Sequence, residues 1–243
     1  SKVALLQLQN IPFNHLNVDL RSSLLLSIDQ ALKHDCRAIA IIGEGKGFSM
    51  GRDVYEIPRR RHMTSPNMGE ISNLIESLDI PTLAVMPGYV NNSALALALA
   101  CHFRIADATA KFSFSDVNAL GLITDAGGSL RLPKLIPPKD AMDMLVKGKE
   151  LSAKEARECN LIDKLLVHNL SVMISKVSDE NVKNNFAVEE VLDLALSSQV
   201  QDGNLDNHRL SHKSIDDVQD KFTDTEFLDY YNDNMVLLKS KKA

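Results

Sequence analysis

The sequence predicts an α/β protein whose parallel strands are joined by right-handed crossovers. Three observations carry this. Residues 38–42 are a short, wholly apolar run ended by Gly43, and residues 82–86 are apolar after Thr82 and ended by Pro87, the pattern of strands covered on both faces. Ahead of the first run, Leu20, Leu24, Ile28 and Leu32 recur at four-residue spacing, as on a helix with one apolar stripe. Strand-like and helix-like segments then alternate to about residue 167.

Residues 2–9 alternate enough to form the opening strand. Asn10-Ile-Pro-Phe-Asn14 reads as a turn. Asn17 or Asp19 caps the helix that follows, which runs to about Lys33. After the strand at 38–42, residues 45–51 read as a loop. Residues 71–78 are helical, and Pro81 ends that helix. The strand at 82–86 runs into a Pro87-Gly88 turn, and a small-residue helix occupies 93–100. Residues 103–106 and 111–113 read as strands. Beyond Pro137-Pro138 lie helices at 139–147 and 152–159, the second with Ser152 and Glu155 in capping-box spacing. A short strand fits 165–167. From Ser171 onward the chain reads as helical and polar, with an acidic stretch near 201–220. The boundary falls near residue 170, between an α/β core (1–170) and a helical C-terminal region (171–243).

A chain of 243 residues buries a sizeable core. The net charge of −5 leaves no basic footprint for nucleic acid. No run of about 18 apolar residues is present to span a membrane. The first ten residues read as a strand and not as a signal peptide. The chain starts almost directly on that strand, so it reads as a trimmed chain or a piece of a longer, multifunctional one. An intracellular setting is expected: the cytoplasm, or a mitochondrion or peroxisome if the chain is trimmed. The three cysteines, Cys36, Cys101 and Cys159, show no metal-ligand spacing and no disulfide framework. Cys101 follows a run of Ala and Leu, which favours a buried, inert thiol over a nucleophile.

Five motifs stand in order. They are Asn10-Ile-Pro-Phe-Asn14-His-Leu16, Gly47-Phe-Ser-Met-Gly-Arg-Asp53, Pro81-Thr-Leu-Ala-Val-Met-Pro-Gly-Tyr89, Leu97-Ala-Leu-Ala-Cys-His-Phe-Arg-Ile-Ala106 and Gly121-Leu-Ile-Thr-Asp-Ala-Gly-Gly-Ser-Leu-Arg-Leu-Pro-Lys134. Together they resemble the signature segments of the crotonase family, the enoyl-CoA hydratases and isomerases, from residue 2 to about 167. Three departures are visible. His102 stands where the family writes aspartate. Asn92-Ser93-Ala94 replaces a glycine-rich turn. Ala96 fills the position of a hydratase's first glutamate.

The resemblance implies a crotonase-like ββα spiral core, with a helical C-terminal part that packs in a homotrimer or hexamer. It implies an acyl-CoA or acyl-carrier thioester as substrate. CoA or phosphopantetheine then belongs to the substrate, and no separate cofactor or metal is called for. In such sites two main-chain N–H groups stabilise the enolate oxygen, each contributing roughly 2.7–4 kcal/mol. By position these fall on Arg52 and Ser93, the latter at a helix N-terminus whose first N–H groups are unpaired. Ser93 also reads as a plain N-cap. A nucleophilic Ser93 would need a histidine base, and no pattern ties any of the seven histidines to it.

Asp125 stands where hydratases hold glycine and isomerases hold an acid, so it reads as a single proton shuttle or as a turn aspartate before Gly127-Gly128. Leu95, Leu122 and Ile123 are expected to wall it and raise its basicity. Asp116 reads equally as a second catalytic acid or a solvent-facing loop residue. Carried over in the same way, His15, Met50, Gly51, Asp53, Arg59 and Arg60 border the CoA portion. The run Arg59-Arg-Arg61-His62 suits phosphates or a solvated loop alike. The leading expectation is a Δ3,Δ2-enoyl-CoA isomerase of fatty-acid metabolism. The alternatives are a dienoyl-CoA isomerase, a hydratase (a lyase) or an acyl-CoA hydrolase using Asp116 with Asp125, and a catalytically degenerate thioester-binding module.

Overall fold

Strands alternate between two sheets, and that alternation builds the site. The computed structural model describes residues 2–34, 36–166, 170 and 236–239. The chain opens with β1 (Lys2–Leu8), α1 (Val18–Lys33) and β2 (Cys36–Gly43), then β3 (Gly47–Ser49) and α2 (Met68–Glu76). It continues through β4 (Thr82–Met86), β5 (Tyr89–Asn91), α3 (Ser93–Ala100), β6 (Phe103–Asp107) and β7 (Lys111–Ser113). Then come α4 (Asp116–Leu120), α5 (Gly128–Leu135), α6 (Pro138–Lys147), β8 (Leu151–Ser152), α7 (Ala153–Glu158), β9 (Lys164–Leu166) and β10 (Val236–Lys239).

The larger sheet has the order β10-β1-β2-β4-β6-β9, every pair parallel. The smaller has the order β3-β5-β7-β8, parallel except for β7 with β8. Successive turns therefore give one strand to each sheet and then a helix: β2-β3-α2, then β4-β5-α3. This is the ββα spiral that the resemblance implies.

The apolar runs read from the sequence are the buried strands. All five residues of β4 and of β6 are buried. In α3 all eight residues, Ser-Ala-Leu-Ala-Leu-Ala-Leu-Ala, are buried, as befits a helix apolar all round. The stripe of α1 (Leu20, Leu24, Ile28) packs on β1 and β2, and Asn17 Oδ1 caps it by accepting from the Leu20 N–H at 2.9 Å. The predicted capping box at Ser152 and Glu155 is present on α7. His102 Nδ1 accepts the Thr82 N–H at 3.1 Å, so the imidazole links β6 to β4 where the family writes a carboxylate.

The structure differs from expectation in four places. The segment read as a loop at 45–51 contains β3, and β5 follows Gly88. Residues 116–120 and 128–135 are helices. Helix α2 starts earlier than Ile71, at an Asn67–Glu70 capping box. Within the region read as helical, residues 236–239 form β10, which pairs parallel with β1 at the sheet edge. The rest of that region, with its expected helices and trimer-packing role, lies outside the described residues.

Candidate active site

Strands β3, β5 and β7 lie side by side and run parallel, so their C-terminal ends share one edge of the smaller sheet. Arg52, Ser93 and Asp116 each follow one of those ends. Asp125 comes to the same edge on the 121–127 loop between α4 and α5. Four residues distant in sequence thus meet through topology.

The first N–H donor is fixed by a web around the opening turn. Asn14 Nδ2 donates to the carbonyls of Glu44, Gly47 and Phe48 (2.7, 3.2 and 3.3 Å), and its Oδ1 accepts the Asn10 N–H. Ser49 Oγ donates to the Asn14 carbonyl at 2.6 Å and accepts the Gly51 N–H at 3.0 Å. The Gly51 carbonyl accepts from Leu16 N at 2.8 Å. A trans peptide is planar, so the next N–H, that of Arg52, points away from Leu16. Gly51 has φ +89°, and a Cβ placed there would lie 3.1 Å from Ser93 N. The two donor segments therefore touch.

Asn92 makes the second donor. It takes φ 53° and ψ −122° ahead of α3, a conformation that costs a non-glycine residue about 1–3 kcal/mol. Its neighbours hold it there. Its N–H donates to the Ser113 carbonyl (2.9 Å), its Nδ2 to Ser115 Oγ (3.3 Å), and its Oδ1 accepts the Asp116 N–H (3.0 Å). The Asn92 carbonyl accepts the Ala96 N–H, the first bond of the helix. Asn92, not Ser93, is thus the N-cap. Among the described residues, no protein group accepts the main-chain N–H of Arg52 or of Ser93.

The acids sit beside these donors. Ser93 Oγ donates to Asp125 Oδ1 at 2.8 Å. Its partner is a carboxylate, which does not suit a nucleophilic serine. Arg52 Nη2 lies 3.3 Å from Asp125 Oδ2, and Arg52 Nε lies 2.9 Å from Asp116 Oδ2. The second contact is close, but the N–H is not aimed at the oxygen, so it is an ion pair and not a directed hydrogen bond. Asp116 is buried, which corrects its reading as a solvent-facing loop residue. Burial pushes its carboxyl above the ordinary range; Arg52 pulls it down and Asp125 pushes it up again. The Asp125 side chain is 36% exposed, so it is the acid open to a ligand. Leu95 is fully buried, but Ile123 is 80% exposed and does not wall the acid as expected.

Arg131 joins the site without any signal in the sequence. From α5 its Nη1 donates to the Ala126 carbonyl at 2.7 Å, and its Nη2 donates to Asn73 and Glu76 of α2. It clamps the loop that carries Asp125, in which Ala126 and Gly127 both have positive φ.

The remaining expected residues lie close by. Gly51 is buried at the donor turn. Met50 Sδ accepts from Asn91 Nδ2, and the His15 ring lies edge-on to Phe13. Asp53 caps a short 3₁₀ turn by accepting the Tyr55 N–H, so its carboxylate is engaged in holding backbone. Arg59 and Arg60 are exposed on the loop behind that turn. Cys101 is buried among apolar groups, and its thiol is pushed up to about 12, as an inert thiol should be.

The chain matches the enoyl-CoA hydratase/isomerase family over residues 1–218 and belongs to that family. It is 30% identical over 216 residues to the human peroxisomal bifunctional enzyme, covering 88% of this chain but 27% of that protein. The chain spans about a quarter of that relative's length. It is 32% identical over 166 residues to a probable enoyl-CoA hydratase of Bacillus subtilis, covering 66% of this chain and 64% of that one. An enoyl-CoA hydratase structure from Thermoplasma volcanium superposes with a TM-score of 0.61 at 24% identity, over 87% and 90% of the two chains. The core is thus of the crotonase fold, in a family of acyl-CoA enzymes. Among the described residues no helix is long and apolar enough to cross a membrane.

Proposed function

We propose that this chain is an enoyl-CoA isomerase that moves a C3=C4 double bond to C2=C3 with one carboxylate. The observation that carries the reading is the inequality of the two acids. Asp125 is half-exposed beside the N-terminus of α3, whereas Asp116 is buried against Arg52. Ala96 offers no acid from α3.

The thioester carbonyl oxygen accepts the main-chain N–H groups of Arg52 and Ser93. Asp125 takes the C2 proton. The C–H electron pair becomes the C1=C2 bond of a dienolate whose charge rests on the oxygen, where the two donors and the α3 dipole favour it. Asp125 then returns the proton to C4, and the electrons re-form the carbonyl with the double bond at C2=C3. No group outside the chain and the substrate takes part, and CoA or phosphopantetheine is the substrate's handle. Arg59 and Arg60 suit its phosphates. A homotrimer or hexamer and an intracellular setting accompany this reading.

Hydration is the second reading, favoured by the approach of both acids to one guanidinium and by the hydratase name of the Bacillus relative. The test supplies 3-enoyl-CoA and 2-enoyl-CoA separately and analyses the products. Conversion of the 3-enoyl thioester to the conjugated one, without 3-hydroxyacyl product from the 2-enoyl thioester, supports the isomerase. Hydration as the faster reaction overturns it.

A further inference from the structure

We infer that the guanidinium of Arg52, apart from its main-chain N–H, divides the work of the two acids: it holds Asp116 as a buried counter-charge and positions Asp125 as the one base. The catalytic half of this statement rests on the isomerase reading; the electrostatic half stands on the geometry alone. The side chain is nine-tenths buried or more and reaches both carboxylates, with Nε on Asp116 at 2.9 Å and Nη2 on Asp125 at 3.3 Å. Neither nitrogen has a well-directed acceptor, so its influence on the acids is one of charge. The charged groups facing Asp116 are Arg52 and Asp125, and Asn92 Oδ1 holds its N–H. Those facing Asp125 are Arg52 and Asp116, with the Ser93 hydroxyl on its other oxygen.

Charge accounting gives the arrangement its sense. Two carboxylates and one guanidinium leave one negative charge, and it belongs to the accessible acid. When Asp125 takes a proton from C2, that charge passes to the thioester oxygen. That oxygen is bound by the N–H of the same arginine. The guanidinium thus sees an anion nearby before and after the transfer. The planar guanidinium spreads its charge over separate nitrogens, so that Nε faces Asp116 and Nη2 faces Asp125.

The test is a titration of ¹³C-labelled aspartate carboxyls by NMR, run alongside exchange of the α-proton of a bound thioester against pH. Four proteins are compared: the parent, Arg52→Met, Asp116→Asn and the double variant Arg52→Met/Asp116→Asn. The double variant removes the buried pair together, so it covers the case in which Arg52→Met does not fold. An opposite charge at this range moves a carboxyl by about 1–3 pH units. Without the guanidinium to place Asp125, α-proton exchange should be at least about tenfold slower in the double variant than in Asp116→Asn, at unchanged thioester affinity. Asp116 should titrate higher in Arg52→Met than in the parent. Exchange that is equal in the double variant and in the Asp116→Asn single variant overturns the inference. An Asp116 that responds to Arg52→Met as expected, in a protein whose parent exchanges no α-proton, would leave the electrostatic assignment standing and remove the isomerase reading.

Discussion

Replacing Gly51 with alanine should damage the donor pair more than the fold. Gly51 sits at φ +89°, and an added Cβ would lie 2.6 Å from the Asn91 carbonyl oxygen, 3.0 Å from Asn92 Cβ and 3.1 Å from Ser93 N. Two of these three are backbone atoms, so β5 and the start of α3 must give way. The positive φ costs about 1–2 kcal/mol for a residue with a Cβ, and the overlap adds about 1–3 kcal/mol. Together they predict a loss of about 2–5 kcal/mol of stability, read from the urea midpoint at unchanged slope. The shift also parts Arg52 N from Ser93 N. Loss of one such donor corresponds to about 10²–10³ in rate. Exchange of the thioester α-proton in a folded Gly51→Ala protein should fall by that factor. A folded variant that exchanges at the parent rate would refute the paired-donor geometry.

Three further outcomes follow from the same contacts. Ser93→Ala keeps the N–H and loses only the hydroxyl on Asp125; exchange should change by no more than about tenfold, from one bond to a charged group of about 1.5 kcal/mol, and a total loss would revive a nucleophilic serine. Arg131→Met removes the charge-assisted bond to the Ala126 carbonyl, while its ion pair to half-exposed Glu76 adds little. It should cost about 2 kcal/mol in denaturant unfolding and lower exchange at unchanged thioester affinity; parent-like exchange would show that the loop holds Asp125 without the clamp. For Asp116 the pH dependence has a definite sign. An acid whose carboxyl is raised on folding binds its proton more tightly when folded. Its contribution is therefore greatest at low pH and is lost as pH rises from the ordinary carboxylate range through the raised value. Relative to Asp116→Asn, the parent should gain stability on acidification through that window, and an opposite slope in the unfolding midpoints would contradict the burial argument.

The sequence disclosed those parts of the fold whose signal is local. The apolar stretches within β2 and β4 and the Ala/Leu run of α3 could have been little else. Short elements were hidden: β3 and β5 have three residues each, too few for a period to show. Helix α5 opens on Gly127-Gly128 and contains Pro133, so it reads as punctuation although its first-turn contacts make it a helix. The Val-Leu-Leu of β10 was an available strand signal, submerged in a polar region. In the site, Asp125, Asp116, Arg52 and Ser93 came from the resemblance, and the sheet edge brings them together. What the resemblance could not supply was the side-chain wiring. The Arg52 guanidinium between the acids, the Asn92 amide on Asp116 and the Arg131 clamp all join positions more than 20 residues apart or across helices. Nothing local marks them. Ile123 shows the reverse error: an apolar residue beside an acid suggests a wall, whereas the loop turns it outward.

The proposed mechanism depends most on Asp125 as the acid that moves the proton. Asp125→Asn keeps the shape and the Ser93 contact but cannot take a proton. In deuterated buffer, with a saturating non-isomerisable acyl-CoA whose C2 protons are followed by NMR, the parent should exchange them, and the variant should bind the thioester with similar affinity yet exchange it at least about 10²-fold more slowly. Exchange at the parent rate in Asp125→Asn would contradict that role.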